Sequence, residues 1–186
     1  MSAEEPQVLH APDLIEPVIG FRQWRSTEAG LLSIACDERW RRPSLVARCL
    51  VGGHPQEIPP ASECTCGVYA WYEPCPRTAS APTRDYVAGA VVMWGAIELH
   101  GSGMRAQHCQ IVALALPLSR WGKRDRVVDA AMRLGVPAVR HRDLREVARQ
   151  HGAPVANDLR PLSHPVGSAQ GPNGLVARTG TRRPLR

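Results

Sequence analysis

Residues 87–117 read VAGAVVMWGAIELHGSGMRAQHCQIVALALP. Val87 to Leu99 is long and β-branched, with Gly89 and Gly95 placed where a strand can bulge or bend sharply enough to curl a sheet. His100-Gly101-Ser102-Gly103 reads as a turn. The chain then resumes through Arg105 into Ile111-Val112-Ala113-Leu114-Ala115-Leu116, which Pro117 closes.

On the N-terminal side, Phe21, Trp24, Leu31, Leu32, Ile34 and Cys36 form short runs bounded by Gly30 and Asp37, the look of a strand or hairpin. Leu45 to Val51 is a further run ended by Gly52-Gly53, and a proline-rich loop through Pro55, Pro59 and Pro60 follows. Cys66 to Tyr72 is dense in residues that suit a pleated, half-buried surface, and Pro74 and Pro76 end it. Short strands at close spacing with glycine kinks favour a small barrel or strongly bent sheet over a parallel doubly wound one.

On the C-terminal side the period switches. Val127, Val128, Ala131 and Leu134 fall at helical spacing, and Gly135 with Pro137 is a helix stop. Asp143-Leu144-Arg145-Glu146 resembles a capping box, with Leu144, Val147 and Ala148 as the apolar stripe and Gly152 as the end. Neither helix is stable alone at this length, so both must pack on something. The fold class predicted is α+β: a small, curved, mainly antiparallel sheet or partial barrel, two short helices, and a disordered tail. The domain organisation predicted is a flexible acidic leader over 1–19, a β-rich domain over 20–118, a helical part packed on it over 119–158, and a disordered basic tail over 159–186.

The chain has 186 residues, 44% hydrophobic and 22% charged, which places it among soluble proteins of one domain or one plus an appendage. The first twenty residues hold Glu4, Glu5, Asp13 and Glu16 and no Lys or Arg, the reverse of a secretory signal, and Tyr86 to Ile97 is too short to span a bilayer. A cytoplasmic chain without membrane contact is expected. The net charge of +6 is unevenly spread: after Asp158 there are five arginines and no acid, so the other residues carry 18 basic and 17 acidic groups, or +1. A near-neutral body with a basic tail is weaker evidence for nucleic acid than the total suggests.

Six cysteines in a cytoplasmic chain argue against a disulfide framework, because thiols there are kept reduced. Cys49-x4-His54-x9-Cys64-x-Cys66 brings four soft or borderline donors into eighteen residues of a loop with little else to hold it. Thiolate and imidazole are what a tetrahedral Zn²⁺ prefers, so a structural zinc on Cys49, His54, Cys64 and Cys66 is the metal reading. Cys-x-Cys is a weaker signal than paired Cys-x2-Cys knuckles, and the competing reading makes these residues small buried thiols, a loop thiol and a solvated histidine.

Two other chemistries compete. A thiol enzyme would centre on Cys109 with His100 or His108, although adjacent residues on a strand point to opposite faces and no third orienting group is identifiable. The competing reading is an inert core Cys109. Nucleic acid would use Arg142, Arg145 and Arg149, which share one helix face, together with the basic tail. That face is equally the solvated side of an amphipathic helix. No phosphate-binding fingerprint or paired-carboxylate site is present, so the chain is expected to be a binding or interaction module, with a protein or nucleic acid as partner, rather than an enzyme.

At Cys64-Thr65-Cys66-Gly67-Val68-Tyr69-Ala70, Val92-Met93-Trp94-Gly95 and Gly103-Met104-Arg105-Ala106 the sequence resembles an uncharacterised group of small actinobacterial proteins. Those carry a Cys-x-Cys-Gly-Ile/Val-Tyr-Ala segment, a Trp-Gly strand and a Gly-x-Arg-Ala turn. The resemblance covers Gly20 to Leu118 and implies one compact domain there. It transfers no catalytic residues.

Overall fold

The computed structural model describes residues 10–11, 16–36, 38–50, 58–74, 86–117 and 124–161. Among them, ten strands join one sheet: β1 (His10–Ala11), β2 (Val18–Thr27), β3 (Gly30–Ser33), β4 (Arg39–Trp40), β5 (Ser44–Val46), β6 (Val68–Trp71), β7 (Tyr86–Leu99), β8 (Gly103–Leu116), β9 (Ala138–Arg140) and β10 (Ala153–Pro154). Two helices follow β8 in the chain, α1 (Arg124–Leu134) and α2 (Leu144–Arg149). The protein is α+β. Its sheet is antiparallel except where β9 joins β8 and β10 joins β2.

The hairpin of β7 and β8 is the spine. Their ladder runs from Gly89↔Leu114 to Leu99↔Met104, with register shifts after Ala90 and between Trp94 and Ile97. Gly95 sits in the second shift at φ +79, and a Cβ there would meet Gln107 Oε1 at 2.6 Å, so both the dihedral and the space call for glycine. Side chains alternate between two cores. Val87, Val91 and Met93 point one way, Ala90 and Val92 the other.

Curvature brings the sheet back on itself. β2 pairs with β7 from Val18↔Met93 to Arg25↔Tyr86, β6 pairs with β8 from Val68↔Ala106 to Trp71↔Gly103, and β2 meets β6 at Phe21↔Trp71. The seam between β2 and β6 is therefore narrow, and Arg22 reinforces it. Its guanidinium donates to the Tyr69 carbonyl of β6 and, at 3.1 Å, to Ser33 Oγ of β3, and lies 5.8 Å from the centre of the Trp40 ring of β4. Inside the curl, Gly20 allows close approach: a Cβ there would sit 2.7 Å from Ala70 Cβ and 2.9 Å from Met104 Cε. Trp24 meets Trp40 edge-on at 5.6 Å in the same core.

The helices cover what the curl leaves open. Val127, Ala130, Ala131 and Leu134 of α1 extend the inner core, while Leu144 and Ala148 of α2 close the outer one over Ile19, Phe21, Ala90 and Val92. Among the described residues no helix is long and apolar enough to cross a membrane.

Three expectations need correction. The segment expected as leader contributes β1 and the start of β2 at Val18, because both find edges of β7 to pair with. Of the run Leu45 to Val51, the described residues as far as Leu50 give only the short β5, and Cys49 lies beyond it in a loop. Asp143 makes no side-chain cap: a 3-10 turn over His141–Asp143 runs straight into α2 and keeps Asp143 in helical conformation, where a capping residue is extended. Helix α1 was anticipated, and residues 162–186 of the expected tail lie outside the described residues.

Candidate metal centre

Cys49, Cys64 and Cys66 converge. Their sulfur atoms all lie within 4.8 Å of one another, and the Cys49 and Cys64 sulfurs are 3.8 Å apart. A tetrahedral ion with metal–sulfur bonds of about 2.3 Å holds its sulfurs about 3.8 Å apart, so this pair already stands at the spacing of a zinc–thiolate edge. The separation is well beyond a disulfide bond of about 2.05 Å.

Each sulfur is positioned by ordinary backbone chemistry. Cys49 follows β5 in a segment anchored by the Ala47 N–H on the Gln107 carbonyl at 2.7 Å. Cys64 and Cys66 stand on the turn before β6, in which the Cys64 N–H reaches the Ala61 carbonyl at 3.1 Å and the Tyr69 hydroxyl donates to the Thr65 carbonyl at 2.9 Å. Gly67, at φ +120, lets that turn enter β6 directly against Arg105, whose Cβ would be 3.2 Å from a side chain there.

Beneath the turn lies a buried ion pair. Arg105 Nη2 is 2.6 Å from Glu98 Oε2, and the two residues face each other across the β7–β8 ladder. The same guanidinium donates to the Ala61 carbonyl at 3.1 Å, to the Cys66 carbonyl at 3.0 Å and to the Cys64 carbonyl. One side chain thus gathers three carbonyls of the turn that presents two sulfurs. His100 adds to the network, with Nε2 3.1 Å from Glu98 Oε1.

The electrostatics suit a cation. Burial pushes the Cys66 thiol up, and the neighbouring Cys64 and Cys49 push it the same way, while the Ala61 N–H directed at its sulfur at 3.4 Å works against them. The Cys66 thiol therefore resists becoming a thiolate unless a positive ion sits beside it. An N–H aimed at the sulfur is the kind of outer contact that orients metal-bound thiolates.

Of the four ligands expected from the spacing, three are together and His54 lies outside the described residues. Glu98, Arg105 and the Ala61 N–H were missed. A signal for the first two existed, since both stand the same number of residues from the middle of the Gly101-Ser102 turn, where hairpin partners meet.

Cys109 and the arginines fare differently. Cys109 is fully buried in the inner core and burial pushes its thiol up to about 12, an environment that works against a reactive thiolate. His108 stacks on Trp94 with ring centres 5.4 Å apart, and His100 is seven residues along β7 from Met93, the partner of Cys109, on the order of 20 Å away at strand rise. Arg142, Arg145 and Arg149 are all exposed; Arg142 contacts Asp143 at 3.4 Å and Arg145 pairs with Glu73. Compared with family models, curated proteins and solved structures, the chain matches none.

Proposed function

We propose that this chain is a non-catalytic interaction module in which Cys49, Cys64 and Cys66 hold a structural Zn²⁺. The convergence of three sulfurs, two of them on a turn anchored by a buried arginine, carries this reading. Thiolate-rich donor sets are those of structural zinc sites, where the ion ties together segments too short to hold themselves by packing. His54, spaced between Cys49 and Cys64, is the fourth donor that the sequence offers. The ion would join the segment after β5 to the turn before β6. Those two segments also carry Leu50 and Ile58, both more than half exposed, which supports the metal-tied loops as the surface on which a protein partner would dock.

Metal analysis of protein purified without a nickel column is expected to find about one zinc per chain, and chelation is expected to lower the thermal midpoint. Cys64→Ser should cut both the zinc content and the stability. Less than about half an equivalent of zinc, or a Cys64→Ser protein as stable as the parent, refutes the metal reading.

A further inference from the structure

The three sulfurs of the cluster are not equivalent. Cys66 is buried and receives the Ala61 N–H, whereas Cys49 and Cys64 are half-buried and within 3.8 Å of each other. Cys64 and Cys66 are separated by a single residue, which closes a small ring poorly suited to disulfide geometry. Cys49 lies outside any strand, so its side chain can close the remaining distance without breaking a ladder.

From this asymmetry we infer that Cys49 and Cys64 form a reversible thiol–disulfide pair, and that peroxide oxidation of the pair expels the metal. The inference rests on the zinc reading above for its second half only. One sulfur attacks a peroxide oxygen, breaking the O–O bond and becoming a sulfenic acid as the first water leaves. The second sulfur displaces the sulfenic oxygen, which departs as a second water. Two electrons pass from the sulfur pair to the peroxide: two thiols and one hydrogen peroxide give one disulfide and two waters. When the sulfurs start as zinc-bound thiolates, two protons come from solvent and Zn²⁺ leaves, since Cys66, even with His54, is a poor site for it.

The fold survives the exchange. Arg105 keeps its grip on the Ala61, Cys64 and Cys66 carbonyls, and the link between the two segments passes from an ion to a covalent bond. The site therefore discharges its metal under oxidant without releasing the loops.

The test uses the full chain loaded with zinc, treated with a few equivalents of hydrogen peroxide, with zinc release followed by a chromogenic chelator and the thiols mapped by alkylation and mass spectrometry. The expected result is a Cys49–Cys64 cross-link, Cys66 still open to alkylation after unfolding, about one zinc released per cross-link, and recovery of both thiols with dithiothreitol. A cross-link containing Cys66, separate sulfinic acids with no cross-link, or zinc retained after cross-linking overturns the proposal. The zinc-free chain and Cys66→Ser, treated alike, are both expected to form the Cys49–Cys64 bond. A chain that binds no zinc yet forms this bond refutes the metal reading and leaves the redox pair standing. One that binds zinc and never forms it does the reverse.

Discussion

Glu98 and Arg105 face each other across the β7–β8 ladder, 2.6 Å apart at Oε2 and Nη2, with both side chains buried. Taking two such charges out of water costs several kcal/mol for each ion, and their attraction offsets this only when the remaining donors are satisfied. Here the two Nη groups go to carbonyls of the cysteine turn, while the buried Nε finds no hydrogen-bond partner among the described residues. The pair supports the candidate metal centre, and the turn in return takes up its Nη donors.

Breaking the pair on one side is therefore expected to be costly. Glu98→Gln should lose about 3–5 kcal/mol in urea unfolding, because it leaves a buried guanidinium without its counter-charge. Arg105→Met should lose a similar amount and, in addition, the zinc. Glu98→Leu combined with Arg105→Met should recover much of the stability and none of the metal. A double variant that keeps full zinc occupancy would separate the turn from the ion pair.

Alkaline pH is expected to weaken the fold through Cys109. Its thiol is pushed from near 9 up to about 12 by burial, so above about pH 9 the unfolded chain loses a proton that the native one retains. The unfolded state is then favoured by up to about 1.4 kcal/mol for each further pH unit, until the native thiol titrates. Tyr72, pushed up to about 12 by burial, acts in the same direction. Urea midpoints of the parent should fall between about pH 9 and pH 11 more steeply than those of Cys109→Ala. Parallel profiles would remove Cys109 from the account.

Gly103 is expected to tolerate no side chain. A Cβ there would stand 2.3 Å from the Ala70 carbonyl oxygen and 3.1 Å from Trp71 Cα, both backbone atoms of the strand it pairs with. Gly103→Ala should cost at least about 2 kcal/mol, because relief requires moving β6 away from β8. Gly135→Ala is the contrast. Nothing lies within 4 Å of its added carbon, and only its φ of +67 opposes the change, so a loss of about 1 kcal/mol is expected in the same assay.

Arg145 and Glu73 are each about half exposed, and their pair should contribute less than about 1 kcal/mol. Arg145→Ala is expected to shift the urea midpoint slightly at low salt and not at all at about 1 M salt, where screening acts within a few ångströms. A large, salt-independent loss would give this arginine a packing role.

Most of the spine was legible in the sequence because it is governed by local rules. The β-branched run with Gly95 announced a bulged strand, His100 to Gly103 announced the turn, and Gly135 before Pro137 ended α1 as expected. The curl of the sheet was foreseen only in outline, since its seam depends on one backbone pair, Phe21↔Trp71, and on the reach of Arg22, which no periodicity encodes. At the candidate site the cysteine spacing named the sulfurs but not their support. Glu98 and Arg105 are charged residues near a turn, and composition alone assigns such residues to solvent.

The closed pairing also bears on how copies of this chain meet. β7 and β8 are long and apolar, the kind of strand whose bare edge recruits another chain. Each is flanked on both sides: β7 by β8 and by β2 with β1, and β8 by β7 and by β6, β5 and β9. Among the described residues the outermost strands β1, β4, β5, β9 and β10 are two or three residues long, too short to template strand addition. Curling the sheet thus acts as protection against edge-to-edge aggregation, a task many open sheets leave to lysines and prolines.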